Sequence, residues 1–534
     1  MRYPHTLLTL GLGLALGGCS SMAPLVPTKG KTYVVTILHT NDHHGRFWQN
    51  RDGEYGMAAR KTVIDGIRAE VASTGGYTLL LDGGDVNTGV PESDLQDAVP
   101  DFKGMNLLGY DAMAVGNHEF DKSPAVLTMQ RKLAAFPMLS ANIYRDGERL
   151  FDPYKMFNLG GLRVAVIGLT TEDTYKLGNP DNMRGMDFRN PIQEAVKIVP
   201  ELRAKADVVI AATHMGHYEN GHHGIQAPGD VEMARAVTGL NLVVGGHTQN
   251  PACMRAENVM DTTYVPGAAC QPDRQNGTWI VQAHEWGKYV GRADFQYRDG
   301  AFTLVKYALI PINLKHTTPI AENPDMLALL QPYQSFGQKK LLVDVGASDG
   351  VFEGDRAYVR KRATNLGMLI GQALMDKTHA DFAVVNSGGV RDSLPAGNIT
   401  YKDILQVQPF GNTLCTLRLT GREVLDYLTV AAKMNPGAGG FAHLSGVELI
   451  TANGVLLQAR IGGAFVDAAK SYTMVINSFM AAGGDGYPVF TAHPSFTNTG
   501  FVDAEVLRSY IASHSPLQVT RFAPGGGLTA SPIQ

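Results

Sequence analysis

Short apolar runs recur along the first half of the chain, and most of them stop at a cluster of polar side chains. Tyr33-Val34-Val35-Thr36-Ile37-Leu38 is rich in β-branched and aromatic residues and predicts a strand. It ends in His39-Thr40-Asn41-Asp42-His43-His44-Gly45. A helical pattern over Ala58 to Val71 follows, then Thr78-Leu79-Leu80-Leu81 running into Asp82-Gly83-Gly84-Asp85. Ala112 to Val115 leads into Gly116-Asn117-His118-Glu119-Phe120-Asp121. Arg163 to Leu169 reads as another buried strand. Asp207 to Ala212 runs into Thr213-His214, and Leu242 to Val244 into Gly245-Gly246-His247-Thr248-Gln249. Strands alternating with helical spacers predict an α/β fold, in which ligands gather beyond the carboxyl ends of the strands. Five such segments therefore deliver polar side chains to one edge.

Thr317 to Lys340 is mostly hydrophilic and reads as an interdomain linker. Within it Asn323 before Pro324 looks like an N-cap, opening Met326 to Leu330 as helix, which Pro332 should kink or end. The pattern then restarts: helix Ala363 to Met375, strand Asp381 to Val385, strand Leu414 to Leu419, helix Glu423 to Lys433, strand Tyr472 to Ile476 and helix Ala504 to Ser513. The glycine-rich tail from Pro524 is expected to be mobile.

At 534 residues the chain is too long for one ordinary core, so two domains are expected. Hydrophobic content of 44% and charged content of 18% fit a soluble globular protein, and a net charge of −4 gives no reason to expect nucleic acid as a partner. A monomer is expected. At the N-terminus Arg2 precedes an apolar run, Leu7 to Gly18, too short to span a membrane and suited to a signal peptide. It ends Leu16-Gly17-Gly18-Cys19, which resembles the lipobox of bacterial lipoproteins and implies a lipid anchor on Cys19. Export permits disulfides, and Cys253 and Cys270 flank a loop-like stretch, so they are expected to pair. Closing that loop stabilises by about 3 kcal/mol in the chain-entropy model. Cys415, in the alternating run Thr413 to Leu417, is expected to be a free, half-buried thiol.

The strand ends collect Asp42, His44, Asp85, Asn117, His214, His247 and Gln249. Oxygen donors mixed with imidazoles suit Zn²⁺, Mn²⁺ or a similar ion, and the set is too large for one tetrahedral site. Two metals bridged by Asp85 is the economical arrangement. Asp42 and His44 are one residue apart, so on an extended chain both point to the same side, and His247 and Gln249 repeat that spacing. Any one of these pieces alone is usually a turn; their joint occurrence after five strands is what carries weight. His217, His222 and His223 read instead as a polar loop, because only His214 ends the apolar strand. Asp121, three residues beyond His118, is placed to fix its tautomer and stabilise its cation.

Asp42-x-His44, Gly84-Asp85, Gly116-Asn117-His118-Glu119, His214 and Gly246-His247-x-Gln249 together resemble the calcineurin-like metallophosphoesterase signature. Gly354-Asp355-Arg356-x-x-x-Arg360, Asn386 to Arg391, Gln408 to Asn412 and Phe479 to Tyr487 resemble the exported bacterial 5′-nucleotidases and UDP-sugar hydrolases. The likeness runs from about Val34 to Val519, including the two cysteines after His247.

That resemblance implies an N-terminal four-layer sandwich and a C-terminal α/β nucleotide-binding domain joined by a linker helix. Its boundaries are a signal peptide at 1–18, a tether at 19–31, a catalytic domain at 32–320, the linker helix at 321–342 and a substrate domain at 343–534. It implies one ion on Asp42, His44, Asp85 and Gln249 and another on Asp85, Asn117, His214 and His247, as Zn, Mn, Co or Mg. His118 would stabilise phosphoryl charge or help the leaving oxygen, oriented by Asp121. Arg356, Arg360 and Arg391 would bind phosphate, Phe410 and Phe479 would sandwich the base, Asp485 would accept from ribose hydroxyls, and Asn412 would touch the base. The expected activity is hydrolysis of nucleoside 5′-monophosphates, with di- and triphosphates and UDP-sugars, for scavenging. The expected place is the outer membrane, facing periplasm or cell surface. A 2′,3′-cyclic-nucleotide phosphodiesterase or a thiosulfohydrolase-like enzyme is the alternative on the same scaffold. A surface-anchored binding protein without turnover is the alternative from another class.

Overall fold

The computed structural model describes residues 26–50, 52–177, 182–220, 227–452, 455–524 and 529–530. The expectations for the leader and Cys19, for His222 and His223, and for the glycines after Pro524 fall outside the described residues.

The apolar runs of the first half form strands, and they sort into the two sheets that a four-layer sandwich requires. β1 (Tyr33–Thr40), β2 (Tyr77–Asp82), β3 (Ala112–Ala114) and β4 (Met138–Leu139) lie parallel in a six-stranded sheet. β5 (Tyr154–Leu159), β6 (Leu162–Thr170), β7 (Val208–His214), β8 (Leu242–Val244), β9 (Asp273–Gln275) and β10 (Thr278–Val281) make a second six-stranded sheet, in the order β9-β10-β8-β7-β6-β5. The first sheet is completed beyond β1 by a hairpin, β11 (Tyr289–Arg298) and β12 (Ala301–Pro311). Its turn is Asp299-Gly300, with φ of 48° and 92°, the combination that Asp-Gly adopts in tight hairpins.

Period-2 alternation explains the stacking. Val35, Ile37, Leu79, Leu81, Ala112 and Ala114 face Val164, Val166, Val208, Ile210, Leu242 and Val244 in one core between the sheets. The alternate residues Leu38, Leu80 and Met113 point outward to α1 (Met57–Ser73) and α3 (Val99–Leu108). Between them in sequence lies the single turn α2 (Pro91–Asp94). Ala165, Ile167, Val209, Ala211 and Val243 point out on the far side to α4 (Pro191–Lys205) and α5 (Asp230–Ala236). The result is four layers, helix, sheet, sheet, helix.

Asn323 does cap α6 (Pro324–Leu341), accepting from Met326 N at 3.0 Å. The helix does not stop at Pro332. A proline removes one intrahelical bond, but Met326, Leu330, Gln334 and Leu341 are buried on both sides of it, and packing outweighs the lost bond. Met326 and Leu330 belong to the core beneath α1 and α3, so the connecting helix is seated on the N-terminal half rather than hanging free.

The C-terminal half has its own five-stranded sheet and separate cores. Its strands are β13 (Phe382–Asn386), β14 (Thr413–Thr420), β15 (Ala442–Ser445), β16 (Ser471–Asn477) and β17 (Thr497–Val502). α7 (Asn365–Thr378) and α10 (Asp503–His514) cover one face, α9 (Gly421–Lys433) the other, and the short α8 (Tyr401–Val407) lies against α10. Thr420 and Glu423 close a capping box at the start of α9. Cys415 is free but fully buried, not half-buried, because β14 is an interior strand with α9 packed over that face. Cys253 and Cys270 are paired.

Candidate active site between the two halves

The carboxyl ends of β1, β2 and β3 meet those of β7 and β8 where the rims of the two sheets touch. Glycine makes the approach possible: a Cβ on Gly246 would lie 2.6 Å from Gly83 O and 3.0 Å from Asp42 Oδ2. The loops there are not extended, as the Asp42-x-His44 spacing suggested. Asp42, His44, Asp85, His247 and Gln249 all have positive φ, of 51°, 50°, 62°, 79° and 56°. Such backbone costs about 1–3 kcal/mol per residue and persists only where surroundings over-determine it. Here Asp42 N donates to Gly84 O at 2.9 Å, His44 N to Asp85 O at 3.0 Å, and His247 N to Asp42 Oδ2 at 2.9 Å.

The side chains converge. His214 Nε2 lies 2.9 Å from Asp85 Oδ2, 3.1 Å from Asn117 Oδ1 and 3.2 Å from His247 Nδ1. His44 Nε2 lies 3.7 Å from Asp85 Oδ2 and 3.8 Å from Asp42 Oδ1. Each inner histidine has its tautomer set from behind by a backbone carbonyl: His214 Nδ1 by Gly83 O at 2.7 Å, His44 Nδ1 by Thr88 O at 2.9 Å. In the neutral rings the Nε2 lone pairs then face inward, beside carboxylates and each other, an arrangement that suits divalent cations. Burial disfavours charge on Asp85, yet the neighbouring His214 and His118 hold its carboxyl well below the usual range. Burial disfavours the His214 cation too, and Asp85 overrides it and raises its pKa. Positive charge is drawn to the point between them, as a proton or as a metal.

Gln249 is at the site but differently turned from the expectation for a ligand. Its Nε2 faces His44 Nε2 at 2.7 Å and Asp42 Oδ1 at 3.2 Å, while its Oε1 accepts from Arg356 Nη1 of the other half. Only the amide oxygen can ligate a metal, and turning the amide over would present it to the cluster.

His118 Nδ1 lies 2.6 Å from Asp121 Oδ2, and the His118 N–H of the backbone donates to Asp85 Oδ1 at 2.9 Å. Burial opposes the His118 cation, but Asp121 and Asp85 outweigh it and raise its pKa. His217 belongs elsewhere, bonded to Asp273 at 2.9 Å.

One residue in the strand-end motifs has a function the pattern alone did not disclose. Glu119 is buried, and its two oxygens accept from the backbone of Gly116 (2.7 Å), Val86 (2.8 Å), Asp85 (3.1 Å) and Asn87 (3.2 Å). It ties the Asp85 loop to the Asn117-His118 loop. The signal was present as a carboxylate beside His118, but three of its four backbone partners lie over thirty residues away in sequence.

A cavity of about 780 Å³ opens from His118, Asn117 and His247 into the C-terminal half. Arg356, Arg360, Arg391, Phe410, Asn412, Phe479 and Asp485 all line it. Burial, then repulsion from Arg356 and Arg391, pushes the Arg360 pKa well below its ordinary value, and three guanidinium groups on one cavity suit an anion. Phe410 stacks on His118, with centroids 5.8 Å apart and planes 12° from parallel. Asp485 accepts from Asn386 Nδ2 at 2.7 Å, and Asn412 is also bonded to Asp503. Asp173 and Tyr218 line the same cavity from the N-terminal half.

Residues 35–251 match the family model of the calcineurin-like phosphoesterases, and residues 344–492 that of the 5′-nucleotidase C-terminal domain. Protein UshA of Escherichia coli is 54% identical, over 97% of this chain and 99% of its own. The chain belongs to the 5′-nucleotidase family. A 5′-nucleotidase of Vibrio cholerae is 53% identical over 98% of both chains. Among solved structures, a 5′-nucleotidase precursor from Thermus thermophilus superimposes with a TM-score of 0.77 at 29% identity, covering 94% of this chain and all of that one. The protein is thus a metallophosphoesterase of the 5′-nucleotidase type, a phosphoric monoester hydrolase that uses divalent metal.

Proposed function

We propose that this is an exported, dimetal 5′-nucleotidase that cleaves nucleoside 5′-monophosphates, with nucleoside di- and triphosphates and UDP-sugars as further substrates. The observation that carries the reading is the single cavity that joins the metal-type cluster to three arginines and the Phe410/Phe479 pair. A reactive phosphate at one end and an aromatic base at the other fit that layout. Asp42, His44, Asp85 and Gln249 would hold one ion, and Asp85, Asn117, His214 and His247 the other, drawn from Zn, Mn, Co or Mg. Ions held there would supply a water of lowered pKa and neutralise charge on the phosphoryl oxygens.

The chain's own residues do the rest. Arg356, Arg360 and Arg391 orient the phosphate by charge and by their fixed forks of donors. Phe410 and Phe479 grip the base, Asp485 takes the ribose hydroxyls, and Asn412 borders the base. His118, with Nδ1 held by Asp121, keeps Nε2 free to donate to the phosphoryl group as the water oxygen bonds to phosphorus and the bond to the 5′ oxygen breaks. Binding of the distant base thereby positions the reacting group.

The leader pattern supports lipidation at Cys19 and anchoring in the outer membrane, with the enzyme acting as a monomer. Among the described residues no helix is long and apolar enough to cross a membrane. The test is an assay of AMP, UDP-glucose and 2′,3′-cyclic AMP, each with and without chelator. Chelator-sensitive release of phosphate from AMP is expected; cleavage of the cyclic nucleotide alone would overturn the substrate assignment. Mass spectrometry of the mature N-terminus decides the anchor, and an unmodified peptide beginning after Cys19 would refute it.

A further inference from the structure

We infer that Lys402, on the C-terminal half, is a positioning residue for the metal cluster of the N-terminal half, acting through Glu92 and Ser93. The inference rests on the metal assignment proposed above. Lys402 Nζ donates to Glu92 Oε1 across the junction of the two halves. Glu92 is 0% exposed, and its second oxygen has no hydrogen-bond partner among the described residues. Gly337 of α6 lies against it so closely that a Cβ there would come within 2.8 Å of Glu92 Cβ. One buried carboxylate is therefore gripped where the catalytic half, the connecting helix and the C-terminal half meet. Among the described residues Lys402 is the only hydrogen-bond partner of that carboxylate.

The next residue carries the contact inward. Ser93 Oγ donates to Asp101 Oδ2, and Asp101 Oδ1 lies 2.9 Å from His43 Nε2. Arg60 Nη2 lies 3.3 Å from His43 Nδ1, so Nδ1 accepts and Nε2–H is the donor to Asp101. His43 stands between Asp42 and His44. A second contact runs in parallel: a Cβ on Gly45 would lie 2.8 Å from Ser93 Cβ, so the turn after His44 rests directly on α2. Since α2 is a single turn, Glu92 and Ser93 move as one unit. Any displacement of Glu92 reaches the Asp42–Gly45 loop both by hydrogen bonds and by packing. That loop has three positive-φ residues, two of them not glycine, so its geometry depends on what surrounds it.

The experiment measures metal binding directly, by competition of Co²⁺ or Zn²⁺ between the protein and a chromophoric chelator. Lys402→Met removes the ammonium and keeps the apolar stem, Lys402→Arg keeps the charge, and Ser93→Ala cuts the path inside the catalytic half. Lys402→Met and Ser93→Ala should each weaken metal affinity about tenfold, the lower end of what groups outside the ligand shell contribute. The double variant should lose little more than either single one, because both act along one path. Lys402→Arg should recover most of the affinity. If Lys402→Met does not fold, Lys402→Met/Glu92→Gln replaces it, since that pair leaves no buried charge unpaired, and the same loss is expected. A wild-type chain that binds no metal would sink the metal assignment itself. A wild-type chain that binds normally, with Lys402→Met within about twofold of it, overturns the coupling. Additive losses in the double variant overturn it as well.

Discussion

The two ends of the cavity are built differently. At the metal end Asp42, His44, Asp85, Asn117 and His214 are all buried, with exposures between 0% and 4%. Their loops take left-handed backbone at several points and are locked by carbonyls, by Glu119 and by one another. At the nucleotide end Phe410, Phe479, Arg360, Arg391 and Asp485 are half-buried and Arg356 is exposed, on loops and single helical turns between elements of a second core. Burial strengthens electrostatics where charge develops. If the aromatic pair takes the base as proposed, partial exposure would let it stack on different nucleosides, since every base has a π-face. On that proposal, chemistry is placed on the buried, cross-tied rim and recognition on the half-buried one.

The largest effect should come from the rim. Asp85→Ala is expected to abolish turnover of AMP and to lose both ions, because it borders both groups of donors; two ions still present by elemental analysis would break the bridging assignment. His118→Ala should keep its metal yet lose about 10²–10⁴-fold in kcat, the usual contribution of a positioned acid or base. Normal turnover in that variant would move His118 out of the chemistry. Glu119→Gln tests the lock behind the rim, because it swaps an acceptor for a donor facing four backbone N–H groups. Metal affinity should fall about 10–100-fold, and an unchanged chelator titration would show that the loops hold themselves.

The smallest and most selective effect belongs to the other end. Phe410→Ala with Phe479→Ala should raise KM for AMP and UDP-glucose, with stacking worth about 1–3 kcal/mol per base. Hydrolysis of p-nitrophenyl phosphate, which has no base, should stay nearly unchanged. Equal losses on both substrates would mean that these rings support the fold, and the contrast between the two ends would fail.

The sequence by itself determined the strands, the helices and the order in which polar residues end them. Period-2 alternation and the Asn323-Pro324 cap are local signals, written within a few residues of where they act. The candidate ligands were legible for the same reason, since each follows an apolar run. Tertiary structure alone decided what those signals leave open. Which strands share a sheet was one such matter, because strand pairing depends on packing across the core. Pro332 stays inside a helix because buried neighbours on both sides outweigh one missing bond. Cys415 is wholly buried because α9 covers its strand. Glu119, Glu92 and Lys402 find partners more than thirty residues away, and no spacing in the chain announces such contacts. They exist only once separate elements have closed on one another and left a charge with a single place to go.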